Sequence, residues 1–107
     1  MKIALTFDDG PSTWTPTVLD LLRDHEARAT FFVIGARVRE RPEDVRRIAA
    51  EGHELGSHTL THPRLTEIPD DEVRSEIVGG AEALDHLLLC LRAEGYELVT
   101  VSALAAG

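Results

Sequence analysis

"LTFDDGP", residues 5–11, carries the reading of the fold. An apolar run ends in two adjacent carboxylates, Asp8 and Asp9, and passes at once into the turn residues Gly10 and Pro11. The run from Lys2 to Phe7 suits a buried parallel strand, and "DDGPS" ends it with turn chemistry. Ionising two neighbouring aspartates is costly unless a cation stands close by, so the pair raises the question of what it faces.

Working outward, Thr15 reads as the N-cap of a helix with Pro16 at its first position, and Val18, Leu19 and Leu22 give it an apolar face ending near His25. "ATFFVIG", residues 29–35, is β-branched and aromatic and reads as a second strand. Pro42, Glu43 and Asp44 open a second helix that Gly52 closes. "HELGS", residues 53–57, is a short third strand running into the polar loop "HTLTHP". Beyond Asp70, the spacing of Val73, Ile77, Ala81, Leu84, Leu88 and Leu91 predicts a long amphipathic helix that stops at Gly95, with Gly79 and Gly80 as its weak points. "YELVTV", residues 96–101, reads as a fourth strand.

The order βαβαβαβ implies an α/β fold, a parallel sheet or part of a (β/α) barrel with about four strands and helices outside. A full barrel takes about 250 residues, roughly 30 per strand-helix unit, so this chain holds about half of one. With 107 residues, 43% hydrophobic and 28% charged, it reads as one domain without repeats or linkers.

The charge balance excludes some functions. Eleven Lys and Arg against 19 Asp and Glu give a net charge of -8, which repels phosphate backbones, so nucleic acid is not an expected partner. The local group Arg37, Arg39, Arg41, Arg46 and Arg47 reads as a solvated helix face. No apolar run is long enough to span a membrane. No signal peptide is visible before "MKIALTF", which makes the cytoplasm the default location. The single cysteine, Cys90, lies in "HLLLCL" and reads as a small buried hydrophobe.

In parallel α/β folds, functional groups gather where loops leave the C-terminal ends of strands. Asp8 and Asp9 stand at the end of the first strand, and His58 and His62 just past the third. Two imidazoles four residues apart meet one ion if "HTLTH" makes a helical turn, and a carboxylate from another loop completes a two-histidine, one-carboxylate site with open positions. One aspartate then binds the cation while its neighbour serves as a base, Gly10 allowing the sharp turn and Pro11 fixing the loop exit. Non-haem iron is the other use of such a ligand set. His25 at a helix end and His53 after Gly52 read as structural, and His86 as exposed and inert.

"TFDDGP" followed by "HTLTHP" resembles the first two motifs of the polysaccharide deacetylases, the NodB homology domain of carbohydrate esterase family 4. "ATFFVIG" and "EIVGGAEALDHLL" extend the resemblance, which runs from Lys2 to about Leu88. It implies a distorted (β/α) barrel and a hydrolase that removes N-acetyl or O-acetyl groups from a polysaccharide such as chitin or peptidoglycan. Asp8 would be the catalytic base and a metal-bound water the nucleophile. Asp9, His58 and His62 would hold a divalent metal, usually zinc, sometimes cobalt or nickel. The cell envelope is the location the family suggests.

The resemblance also exposes a gap. The family's later Arg-x-Pro-Tyr motif, its Asp- and Trp-containing motif and its Leu-x-His motif, which supplies the general acid, have no counterpart in the right context. "LRAEGYELVTVSAL" resembles the last helix and strand of the family domain, as though the segment between had been removed and the ends joined near Leu89. Leu84-Asp85-His86 matches Leu-x-His as a string but falls within a helix. Losing a general acid costs roughly 10² to 10⁴-fold in rate. Two further expectations follow: a catalytically weak or silent metal- or glycan-binding form, and a homodimer joined through exposed sheet edges.

Overall fold

The computed structural model describes residues 1–95, so the expected fourth strand at 96–101 lies outside the described residues. Three parallel strands, β1 (Leu5–Gly10), β2 (Ala29–Val33) and β3 (Glu54–Ser57), form one sheet in the order β1-β2-β3. The helices are α1 (Thr15–Asp24), α2 (Gly35–Glu40), α3 (Pro42–Ala50) and α4 (Asp70–Ala93), with a single 3-10 turn at Leu65–Glu67. This is the partial parallel α/β architecture expected.

The alternation along β2 explains how the sheet is covered. Ala29, Phe31 and Val33 are buried, while Thr30 and Phe32 between them are half-buried. The buried set packs with Leu19 and Leu22 of α1, Val38 of α2, Val45 and Ile48 of α3 and Leu87 of α4. Phe7 stacks on Phe31 with ring centroids 5.2 Å apart, extending this core to β1. β1 is exposed or half-buried along its length rather than buried, because among the described residues it has one strand neighbour and forms the sheet edge.

Local chemistry modifies three other expectations. Thr15 is the first residue of α1 rather than its cap. Its hydroxyl accepts the Ser12 N–H at 2.9 Å while its own N–H donates to the Ser12 carbonyl at 3.0 Å, so the side chain closes the preceding turn. The second helix is two: α2 begins immediately after β2, and Arg41 separates it from α3. The arginines around this junction are more than a solvated face. Arg41 pairs with Asp44, Arg46 with Glu43 and Glu94, and Arg47 with Glu51 and with Asp20 of α1, tying α3 to α1 and to the turn just past α4.

The third difference is the face that α4 buries. Gly80, Ala83 and Leu87 are inside, whereas Ala81 is exposed and Ile77 and Val78 retain 53% and 47% of their accessible surface. The reason is steric. A Cβ on Gly35 would lie 3.2 Å from both Gly80 Cα and Ala83 Cβ, so α2 and α4 approach each other through their smallest residues. His86 is exposed on α4 as expected, and Cys90 is half-buried. No described helix is long and apolar enough to cross a membrane.

His53 is structural, as expected. It is buried, its ring meets Phe31 edge-on at 5.4 Å, and its Nδ1 accepts the Ala29 N–H at 3.1 Å. Burial holds its imidazole below the ordinary histidine pKa, which keeps Nδ1 free to accept.

Candidate metal centre

The C-terminal ends of the three strands are joined by main-chain hydrogen bonds. Ile34 N–H donates to Gly10 O at 2.9 Å, and His58 N–H donates to Val33 O at 2.9 Å. The first two N–H groups of α2, which have no partner within the helix, donate to the loop after β3: Gly35 to Thr59 O at 2.9 Å and Ala36 to Leu60 O at 2.8 Å. Strand ends, helix start and histidine loop therefore form one bonded rim.

On this rim Asp9 is displaced by a bulge. Asp8 pairs with Phe32 and Gly10 with Val33, so Asp9 is the extra residue between them, and its φ is 71°. The sharp turn expected at Gly10 thus begins at Asp9, which is left-handed and of a residue type that tolerates this region better than most. Gly10 and Pro11 continue through a cis peptide bond.

The histidine loop is not the helical turn expected from the i, i+4 spacing. Thr59 and His62 both have left-handed backbone, with φ of 66° and 64°. The Thr59 hydroxyl accepts the His62 N–H at 3.1 Å and donates to the His58 carbonyl at 2.6 Å, closing a compact loop. Left-handed conformation is unfavourable for a β-branched threonine, so contacts from outside must hold it. The two rings nonetheless meet, with centroids 4.8 Å apart.

Asp9, His58 and His62 converge. Asp9 Oδ1 lies 3.3 Å from His58 Nε2 and 3.3 Å from His62 Nε2. Donor atoms about 2.0 to 2.1 Å from a tetrahedral ion stand roughly 3.4 Å apart, so the spacing fits one divalent cation. Side-chain exposures of 54%, 35% and 51% leave the outer side of the set open. The donor set of two imidazoles and one carboxylate suits zinc.

Asp8 is exposed at the same strand end, and its carboxylate has no hydrogen-bond or ion-pair partner among the described residues. It lines a cavity of about 260 Å³ with Phe7, Asp9, Trp14 and Phe31. A wider groove of about 670 Å³ runs from Asp9 and His62 past Ser12 to Arg37 and Arg41. Asp8 and Asp9 thus border the cavity, and Asp9 and His62 the groove beside it.

Sequence reasoning missed Glu76. This α4 carboxylate accepts the Thr61 N–H at 2.8 Å, the Leu60 N–H at 3.1 Å and the Thr61 hydroxyl at 2.6 Å. The hydroxyl above all, with the two amides, holds its carboxyl below the ordinary range against a smaller opposing effect of burial. Its signal was present as Glu76, Gly79 and Gly80, an i, i+3, i+4 face that is polar and small.

The sequence profile of the polysaccharide deacetylases matches residues 1–92. The chain belongs to the polysaccharide deacetylase family. It is 46% identical over 87 residues to a peptidoglycan-N-acetylglucosamine deacetylase of Bacillus cereus, covering 80% of this chain and 32% of that protein. It is 49% identical over 84 residues to a chitooligosaccharide deacetylase of Bradyrhizobium sp., covering 78% of this chain and 38% of that one. Among solved structures, the family 4 carbohydrate esterase from Streptomyces lividans in complex with acetate aligns with a TM-score of 0.76 at 35% identity, over 79% of this chain and 44% of the esterase. The chain spans about a third of the length of the curated relatives it matches. The deacetylase fold is therefore shared for the portion that includes the rim.

Proposed function

We propose that this chain is a metal-dependent hydrolase that removes N-acetyl or O-acetyl groups from a polysaccharide such as peptidoglycan or chitin. The single observation that carries the reading is the convergence of Asp9, His58 and His62 on one point beside Asp8. The names of the relatives support an acetylated glycan as substrate.

Asp9, His58 and His62 would hold the cation, zinc in the first instance and cobalt or nickel as alternatives. A bound divalent cation polarises the acetyl carbonyl and acidifies water at neutral pH. Asp8, one residue before the ligand and free of protein partners among the described residues, takes the proton from the attacking water. Phe7, Trp14 and Phe31 give its cavity apolar walls that exclude bulk water from one side of the carboxylate. The polar groove past Ser12 and Arg37 receives the glycan chain.

A second reading, a metal- or glycan-binding domain with weak or no hydrolysis, is favoured by one observation. Among the described residues no third histidine reaches the rim: His25 caps α1, His53 is buried, and His86 is exposed within α4. A departing amine then lacks that proton donor. Pairing of two copies along the exposed β1 edge is the assembly this reading adds, and ultracentrifugation at high concentration tests it; a monomer throughout removes it.

The deciding experiment is acetate release from acetylated chitin oligosaccharides and from peptidoglycan by zinc-loaded protein, beside calorimetric zinc titration of wild type, Asp9→Ala, His58→Ala and Asp8→Asn. Release by wild type alone, with zinc binding lost in the first two variants and kept in the third, supports hydrolysis. Zinc binding without release supports the second reading. Folded wild type that binds no zinc overturns both metal roles.

A further inference from the structure

The two histidines of the candidate centre sit at the ends of a loop that is unfavourable on its own. Thr59 and His62 are left-handed, and the residues between them, Leu60 and Thr61, present their N–H groups to α4. One side chain receives both. Glu76 Oε2 accepts the two amides and Oε1 the Thr61 hydroxyl, while the main-chain carbonyl of Glu76 also receives the Leu60 N–H at 3.1 Å.

The same face of α4 continues the contact one turn later. A Cβ on Gly80 would stand 2.7 Å from the Thr59 carbonyl carbon and 2.9 Å from its oxygen, and one on Gly79 3.0 Å from Leu60 Cδ2. The first turn of α2, packed beside α4, donates to the carbonyls of Thr59 and Leu60. The loop is thus held by two adjacent helices, its carbonyls by α2 and its amides by Glu76. A bond to a carboxylate is stronger than one to a neutral acceptor, and two converging amides fix direction as well as distance.

We propose that Glu76 is a positioning residue of the metal centre: by fixing Leu60 and Thr61 it presents His58 and His62 to Asp9 in ligating geometry before an ion arrives. Its carboxylate bonds go to Leu60 and Thr61 rather than to Asp9, His58 or His62, so it acts through the loop. Partners beyond the ligands commonly contribute 10 to 100-fold to metal affinity by such orientation, roughly the range expected here. The inference rests on the metal-site reading of the three ligands.

The test is zinc affinity by calorimetry, the visible spectrum of the cobalt-substituted protein, and amide hydrogen exchange at Leu60 and Thr61 without metal, for wild type and for Glu76→Ala, Glu76→Asp and Glu76→Gln. Alanine loses the acceptor, and aspartate keeps the charge but withdraws it by one methylene. Both should weaken zinc binding about 10 to 100-fold, alter the cobalt bands and speed exchange at both amides. Glutamine keeps an acceptor oxygen at the same reach but loses the charge, and should bind zinc more tightly than alanine and more weakly than wild type. A folded alanine variant with unchanged zinc affinity overturns the inference, as does an unchanged aspartate variant should alanine not fold. If wild type itself binds no metal, the metal-site reading fails. Unchanged exchange in the variants would then overturn the gripping role as well, whereas faster exchange at Leu60 and Thr61 would sustain the loop-fixing step alone.

Discussion

Replacing either of two neighbouring glycines in α4 by alanine separates helix propensity from packing against the candidate centre. In an ordinary helix interior Gly→Ala stabilises by roughly 1 kcal/mol. At Gly79 the added methyl meets Leu60 Cδ2 at 3.0 Å, the end of a side chain that can rotate aside. At Gly80 it meets Thr59 main-chain carbon at 2.7 Å, Thr59 oxygen at 2.9 Å and Ser57 Oγ at 3.0 Å. That backbone cannot rotate aside, because the Thr59 carbonyl is bonded to the Gly35 N–H at 2.9 Å and the His58 N–H to Val33. The loop would have to retreat by roughly 0.7 Å to reach ordinary contact, and overpacking of this kind costs about 1 to 3 kcal/mol. The Gly79→Ala variant is therefore expected to be neutral to about 1 kcal/mol more stable than wild type. The Gly80→Ala variant should be as much as about 2 kcal/mol less stable, once the propensity gain offsets part of the strain. Urea unfolding followed by circular dichroism reads both. The Gly80 variant should also bind zinc more weakly, since Thr59 carries the strain between the ligands. Equal stability for the two variants, with equal zinc affinity, would refute the packing account of α4.

His53→Ala should cost about 1 to 3 kcal/mol, since it strands the buried Ala29 N–H that Nδ1 now accepts. The same residue gives a pH dependence. Its folded pKa lies below the ordinary value of 6.5, so the unfolded chain takes up the proton first as pH falls through that value, and wild-type stability declines below it. The slope should be shallower in His53→Ala than in wild type, as measured by denaturant titrations between pH 5 and 7; a steeper one would contradict burial of the neutral ring. Phe31→Ala, at a site 5% exposed and stacked on Phe7, should lose about 3 to 5 kcal/mol in the same assay.

Much of the site was legible because its residues are local to strand ends. Asp8 and Asp9 close one apolar run and His58 and His62 follow another, and the parallel topology that puts such ends on one rim follows from the alternation of strand and helix signals. The ligand types also declare their chemistry without coordinates. What the residues alone left open was how the candidate ligands turn toward one another. The i, i+4 spacing suggested a helical turn, whereas the actual loop takes left-handed backbone at Thr59 and His62, a conformation that local preference argues against.

That conformation is held by residues distant in the chain, which periodicity cannot register. Glu76 lies 15 positions beyond Thr61, and its carboxylate gives the loop amides the partners they would otherwise seek in a helix. The burial of α4 was misread for a related reason. Its apolar residues at 73, 77, 81, 84 and 88 outline a stripe, yet Gly80 and Ala83 face inward because α2 and the Thr59 backbone come too close for anything larger. The sequence by itself determined the parallel α/β class and the identity of the metal-ligand candidates, since both depend on residue type and order. Only the tertiary structure decided which face of α4 packs, that Asp9 bulges toward the histidines, and that Glu76 holds their loop. Each of these depends on close approach between segments that are far apart along the chain.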